Sequence, residues 1–143
     1  MTGVQTCALP IYSSGDLQNT NELIRVVPDR FSVLMGRDTM IYHALIWGAR
    51  GAVPATANIA PRLVVDIYEA AVRGDHAAAQ AAQRKLNPVR LALTLGTAPG
   101  GVKAALALLG MSIGPSRAPV APLSPEKQQK MRAALEEAGL LRR

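Results

Sequence analysis

Apolar residues recur at helical spacing along most of the chain, and two short apolar runs interrupt that pattern. Leu23 and Ile24 share one face of a first helix, for which Asp16 is a suitable N-cap. The runs FSVLM (residues 31–35) and GAVPATAN (residues 51–58) are bounded by glycine or proline, which is typical of short buried strands. The pattern therefore predicts helix, strand, helix and strand in this order.

The helix between the two strands is predicted from Ile41, Leu45 and Ile46, which fall on one face. Asp38 or Thr39 is placed to cap it. Pro54, which has no N–H to donate, is expected at the end of the second strand or on an open edge of the sheet.

The residue pattern predicts that the second half of the chain is helical. Pro61 suits the first turn of a helix. Asp75 is expected to cap a long alanine-rich helix over residues 76–95, with a kink at Pro88. A short helix is predicted over residues 102–109. Ser124, followed by proline and glutamate, predicts the start of the last helix.

A strand, a helical crossover and a second strand form a parallel pair. Two parallel strands are too few for a stable sheet, because such strands are normally covered on both faces within a larger one. The pattern therefore indicates the end of a longer α/β protein with a helical appendix.

Composition and charge narrow the classes of function. Hydrophobic residues make up 49% of the chain, which suits a globular protein, and aromatic residues only 3%. The net charge of +6 favours polyanions in principle, but the basic residues are spread singly and are not interleaved with aromatics. We therefore expect no nucleic-acid partner. Cys7 is the only cysteine, so no intramolecular disulfide and no cysteine-based metal site is predicted, in keeping with a reducing compartment.

No apolar run approaches the roughly 20 residues that cross a bilayer, and no signal peptide is recognisable. A cytoplasmic protein without a membrane partner is expected.

Polar stretches follow each strand, or the place where a preceding strand should end. These are SSGD (residues 13–16), GRDT (residues 36–39) and ATAN (residues 55–58). Each alone is an ordinary helix cap or loop. Together they lie where the active face of an α/β barrel would be. His43 and His76 have no acidic partner at metal-ligand spacing, and Lys103 is expected to be solvated. No metal site is predicted.

These residues carry a family resemblance. The strongest pieces are GRDTMIYHAL, GA…ATANIAP and VKAAL…LG…RAPVAPLS, which follow one another in the order and spacing of the dihydrodipicolinate synthase / N-acetylneuraminate lyase family. The resemblance covers the chain from Ser13 onward. Members are class I pyruvate-dependent aldolases with a TIM barrel followed by a helical extension.

The resemblance implies an α/β fold with the last two strands of a TIM (β/α)8 barrel and a C-terminal helical extension. Residues 13–75 would form the partial barrel and residues 76–143 the extension. A typical barrel needs about 250 residues, so roughly half is absent. In the family, strand six ends in a Schiff-base lysine within a motif that resembles K-D-S-S-G-D. Aligned on SSGD, this chain has Ile11 and Tyr12 in place of the lysine and the acid.

The family's remaining site positions shape a pocket and include no nucleophile. Ser13 matches a residue near the keto acid, and the backbone carbonyl at Val53 would face bound pyruvate. Ala55 stands where neuraminate lyases have serine, and Pro54 departs from the usual small residue. The loop that contacts substrate hydroxyls would be formed by Gly36, Arg37, Asp38 and Thr39.

The opening residues MTGVQTCALPI resemble a translated sequencing adaptor. Residues 1–12 are therefore interpreted as an artefact and its join, with Tyr12 a hybrid codon. Cys7 would belong to the artefact.

The function expected is that of part of a Schiff-base aldolase or lyase acting next to pyruvate or another 2-keto acid, with an aldehyde as second substrate. No separate cofactor is expected, since the parent family uses a lysine–keto acid imine. The parent would be a homo-oligomer, commonly a tetramer. This chain would be inactive. The alternative is a non-enzymatic helical protein-binding module.

Overall fold

Three short parallel strands and six α-helices form the part of the chain that this computed structural model describes, residues 10–111 and 113–141. Cys7 and most of the adaptor-like segment lie outside the described residues. The strands are β1 (Ile11–Tyr12), β2 (Leu34–Met35) and β3 (Gly51–Ala52), and β2 lies between the other two. Both pairs are parallel.

Backbone hydrogen bonds extend the sheet slightly beyond the strands. The Gly36 N–H donates to the Tyr12 carbonyl at 2.8 Å, and the Val53 N–H donates to the Met35 carbonyl at 2.9 Å. Within the described residues, β1 and β3 each pair on one side only. The sheet therefore presents two unpaired parallel edges, as expected for part of a larger sheet.

The helices alternate with the strands and then continue alone. They are α1 (Leu17–Val26), α2 (Ile41–Ile46), α3 (Pro61–Val72), α4 (His76–Ala92), α5 (Gly100–Leu108) and α6 (Pro125–Glu137). Short 3₁₀ turns occupy Asp38–Met40, Ala55–Asn58 and Leu93–Leu95.

Three helix starts lie where the sequence predicted them. Asp16, Asp75 and Ser124 precede α1, α4 and α6, and each side-chain oxygen accepts a hydrogen bond from the backbone N–H three residues on, at 2.7, 3.0 and 3.4 Å respectively. Pro61 is the first residue of α3, as predicted. These boundaries depend on local chemistry, which is why the sequence reveals them. Pro88 lies inside α4.

The strand predictions were less accurate. No strand was predicted from the residue pattern at Ile11–Tyr12, which pairs with β2. Of residues 31–35 only Leu34–Met35 is a strand, and Phe31 belongs to a preceding turn in which its N–H donates to the Pro28 carbonyl at 2.8 Å. Of residues 51–58 only Gly51–Ala52 is a strand, and a 3₁₀ turn follows Pro54.

The predicted face of α2 was partly wrong. Ile41 and Ala44 are buried, whereas Ile46 is 45% exposed. The predicted cap was also wrong: no side chain caps the 3₁₀ turn or α2, and the Asp38 carboxylate points elsewhere. With only six residues, α2 buries one narrow stripe.

Helix α4 joins the two main hydrophobic clusters. Its Leu86 packs in a cluster with Ile41 of α2 and Ile67 of α3, all three at most 1% exposed. Its Val89 packs in the other with Met131 and Leu135 of α6, each 0% exposed. The two clusters therefore meet along one side of a single helix, because residues three apart lie on the same face.

Gly101→Ala is expected to lower the free energy of unfolding by about 1–3 kcal/mol. A Cβ at Gly101 would lie 2.6 Å from the Leu93 carbonyl oxygen, a backbone atom that cannot move aside cheaply. This outweighs alanine's better helix propensity, worth about 1 kcal/mol. Urea unfolding followed by circular dichroism measures the change. The matched control is Gly100→Ala, whose Cβ would lie 3.3 Å from the movable Val120 side chain. A Gly101→Ala protein as stable as the control would contradict the expectation.

Candidate functional site

The segments that follow the three strands lie at one edge of the sheet. Because all the strands are parallel, Ser13, Gly36 and Val53 each stand one residue beyond a carboxyl end. In open and closed α/β sheets alike, this is the edge where ligands bind. We call Ser13, Gly36, Thr39, Val53 and Ala55 the strand-end cluster.

Ser13 and Gly36 are in direct contact. The Ser13 hydroxyl occupies the space that a side chain at position 36 would need, and Ile11 Cγ2 lies 2.8 Å from the same point. The absence of a side chain at Gly36 therefore lets β1 and its following loop pack against β2. The contact of the Gly36 loop with substrate hydroxyls that the resemblance implies stays a prediction.

Val53 and Ala55 face outward on the neighbouring loop. Val53 is 50% exposed, and Ala55 is exposed at the start of the 3₁₀ turn. Pro54 between them is buried, and β3, which ends just before, is an outer strand of the described sheet. The Asn58 side-chain amide donates to the Ala55 carbonyl at 3.0 Å, so Asn58 stabilises its own loop.

Arg37 lies across the loop that follows β1. Its Nε is 3.2 Å from the position of a Cβ at Gly15, a glycine with φ of +79°. Two loops that are distant in sequence thereby contact each other at the strand-end edge. The side chain is exposed, and no carboxylate of the described residues lies within ion-pair distance of it.

Asp38 has different partners from the substrate hydroxyls that the sequence suggested. The carboxylate is buried, and its Oδ1 accepts a hydrogen bond from the Thr56 N–H at 2.8 Å. Its Oδ2 lies 3.1 Å from Arg90 Nε. The Nε–H does not point at that oxygen, so the pair is a charge contact rather than a good hydrogen bond. The side chain thus joins the loops after β2 and β3 to α4, and direct substrate contact stays a prediction.

Gln83 of α4 completes this junction. Its side-chain amide donates to the Asp38 carbonyl at 2.9 Å, and its oxygen accepts from the Tyr42 N–H at 3.0 Å. Sequence reasoning missed both Gln83 and Arg90. A signal was available: they stand seven residues apart on the apolar stripe of α4, where a polar side chain needs a buried partner.

The position that the resemblance aligns with a Schiff-base lysine falls on β1. Ile11 is there, with its side chain 54% exposed next to Ser13 and Gly36. An isoleucine has no nitrogen and cannot form an imine. Among the described residues, this edge therefore brings predicted pocket positions together, with an isoleucine at the position aligned with the lysine.

The other residues that could take part in catalysis or metal binding lie outside the strand-end cluster, and two of them contact groups of the protein itself. Among residues 10–111 and 113–141, no three His, Cys, Asp or Glu side chains are grouped so as to hold a metal ion. His76 Nδ1 lies 3.3 Å from the Tyr42 hydroxyl. Lys103 Nζ donates to the carbonyls of Gly114 and Pro115 at 3.3 and 2.9 Å. No helix in the described part of the chain is both long and apolar enough to span a bilayer.

Two similar curated proteins carry the same name. A 4-hydroxy-tetrahydrodipicolinate synthase from Archaeoglobus fulgidus is 37% identical over 129 residues, covering 90% of this chain and 45% of that protein. One from Thermomicrobium roseum is 40% identical over 123 residues, covering 86% of this chain and 41% of that protein. The chain thus spans less than half the length of the curated relatives it matches.

Solved structures agree. The dihydrodipicolinate synthase from Aquifex aeolicus superposes with a TM-score of 0.86 at 29% identity over 93% of this chain and 45% of that one. The Thermotoga maritima enzyme gives a TM-score of 0.88 at 28% identity, over 94% and 46%. The predicted fold class is confirmed: this is the C-terminal part of a TIM barrel with a helical extension.

The family profile described as the dihydrodipicolinate synthetase family matches residues 11–138, from β1 to the residue after α6. The matched region includes Ile11 and Tyr12 as well as the whole strand-end cluster. The resemblance stated from the sequence is thereby confirmed. The chain belongs to the dihydrodipicolinate synthetase family.

Proposed function

We propose that the chain is the C-terminal part of a Schiff-base aldolase or lyase that makes or breaks a C–C bond next to pyruvate or another 2-keto acid. The observation that carries the proposal is the position of Ile11. It lies on β1 beside Ser13 and Gly36, at the carboxyl edge where a lysine amine would meet a ligand. The chain itself is inactive, because that amine is missing.

The strand-end cluster would supply binding surfaces for two reactants. Ser13 directly follows β1, which carries the lysine position, and the Val53 carbonyl follows β3, two strands away; both would bind the keto acid. Gly36, Thr39 and Ala55 would line the space for the second substrate, an aldehyde or its condensation product. Asp38 would act as a positioning residue that keeps the loops of Gly36 and Ala55 together.

The parent protein is proposed to need no cofactor besides its own lysine, since the imine with the keto acid provides the electron sink. It is also proposed to be a homo-oligomer, commonly a tetramer in the family. Sedimentation of a whole protein that contains this sequence measures the second point, and a monomer would contradict it.

Borohydride trapping with pyruvate tests the proposed chemistry. The chain as it stands is expected to keep its mass, whereas Ile11→Lys is expected to gain a reduced pyruvate adduct at position 11. The matched control is Ile46→Lys, because Ile46 is similarly exposed, 45% against 54%, but lies on α2. Intact-mass and peptide mass spectrometry locate any adduct.

Three results would count against the proposal. An adduct on the unaltered chain would show that Ile11 does not mark the loss of activity. Equal labelling of the Ile11→Lys and Ile46→Lys proteins would show that the strand-end cluster contributes nothing to keto-acid binding. An upstream genomic sequence with no lysine at the aligned position would refute the aldolase assignment itself.

A further inference from the structure

A second concave site lies in the helical part of the chain. It is a cavity of about 390 Å³ between α5, the extended segment 113–123 and the first turn of α6. Its volume is in the usual range for small-molecule sites. It shares no residue with the strand-end cluster. Most of its walls are apolar and come from Ala104, Ala107, Leu108, Ile113, Val120 and Leu123.

One cationic side chain lines this cavity. Lys103 Nζ donates to the carbonyls of Gly114 and Pro115, which fixes the ammonium group at the wall. An ammonium group has three N–H donors, so one donor is left. Among the described residues, Lys103 takes part in no ion pair. Two carbonyl dipoles, and no carboxylate of the described residues, therefore face the positive charge at this wall.

A further polar group in the lining also lacks a partner. Ser116 Oγ is buried and makes no hydrogen bond among the described residues. Leaving a buried hydroxyl unpaired is unfavourable, and a rotation about its χ1 would present it to a molecule in the cavity. Lys103 and Ser116 are both donors, so together they favour an acceptor that carries negative charge.

We propose that this cavity binds a small carboxylate with an apolar body, such as an arylalkanoic or branched-chain acid. The carboxylate would accept hydrogen bonds from Lys103 Nζ and Ser116 Oγ, and the apolar body would pack against the walls of α5 and Val120. The apolar walls favour a ligand with an apolar body, because that body loses unfavourable contact with water on binding. The proposal does not depend on the aldolase assignment.

The test is a titration of the ¹⁵N-labelled chain with 3-phenylpropionate and with 3-phenylpropanamide, its uncharged counterpart of nearly equal shape. Saturable shifts of the amide signals of Lys103, Ala107 and Ile113 are expected for the acid. The amide is expected to bind about tenfold more weakly, because it loses the charge-assisted hydrogen bond to Lys103. Lys103→Met is expected to remove this preference.

A second variant locates the site independently of Lys103, whose removal also affects the loop at Gly114. Ala107 is exposed on α5, so Ala107→Trp fills the cavity without entering the core and is expected to abolish binding of both probes. The matched controls are Ala77→Trp on exposed α4 surface and Lys130→Met on α6, both expected to bind as the unaltered chain does. Equal binding of acid and amide, no saturable shift, or undiminished binding by Ala107→Trp would each overturn the proposal.

Discussion

Replacing Leu86 by alanine is expected to lower the free energy of unfolding by about 2–5 kcal/mol. The side chain is fully buried where α2, α3 and α4 meet. Removing the side chain loses the favourable free energy of transferring its methyl groups out of water. It also leaves a cavity, because Ile41 and Ile67 are held by their own helices and cannot move to fill it. The total free energy of unfolding of a small domain is only about 5–15 kcal/mol. The loss expected for Leu86→Ala would therefore be a large fraction of the stability. Urea unfolding at equilibrium measures it.

The same helix offers a control of identical chemistry. Leu91 of α4 is 62% exposed, so Leu91→Ala removes the same atoms without opening a cavity. A change within about 0.5 kcal/mol is expected for this surface substitution. Equal losses of stability in the Leu86→Ala and Leu91→Ala variants would contradict the packing of α4 against α2 and α3 described above.

Replacing Asp38 by alanine is expected to lower the free energy of unfolding by about 3 kcal/mol. This value is the lower end of the range for breaking a buried charge pair. The substitution leaves the Thr56 N–H without its acceptor and the Arg90 guanidinium without its counter-charge. Arg90 is 20% exposed and can recover part of its hydration, which is why the lower end applies. The expected secondary effect is loosening of both loops of the strand-end cluster, visible as faster hydrogen exchange at residues 36–39 and 53–58.

Further variants separate the two contacts of this carboxylate. Asp38→Asn keeps an oxygen for the Thr56 N–H and removes only the charge, so its loss should be smaller than that of Asp38→Ala. Combining Asp38→Asn with Arg90→Met should cost less than the sum of the single changes, because each change already removes the same interaction. Asp66→Asn, at an exposed pair with Arg62, should leave stability nearly unchanged. Strict additivity of the Asp38 and Arg90 changes would contradict the pairing.

Local signals in the sequence predicted the helices well. Asp16, Asp75 and Ser124 each bond a backbone N–H only three residues away, and Pro61 needs no partner at all. Such interactions are complete within one turn of chain, so the amino-acid order suffices to recognise them. The same holds for the family, because the stretches that carry the resemblance are contiguous.

Strand β1 could not be found from residue pattern. Ile11–Tyr12 is too short to show alternation, and its strand conformation depends on pairing with β2 more than twenty residues later. The packing role of Gly36 also depends on the fold. Its missing side chain makes room for Ser13 and Ile11, which come from a different strand. The family alignment supplied the position that the pattern did not.

The sequence by itself determined the family, the starts of α1, α3, α4 and α6 and the absence of lysine at position 11. Only the tertiary structure decided that the Asp38 carboxylate faces Thr56 and Arg90, that α4 contributes to both clusters, and that Lys103 lines a cavity. The physical reason is the range of the interactions. Caps and motifs act over three or four residues, whereas burial and charge pairing depend on which distant segments the fold brings within a few ångströms.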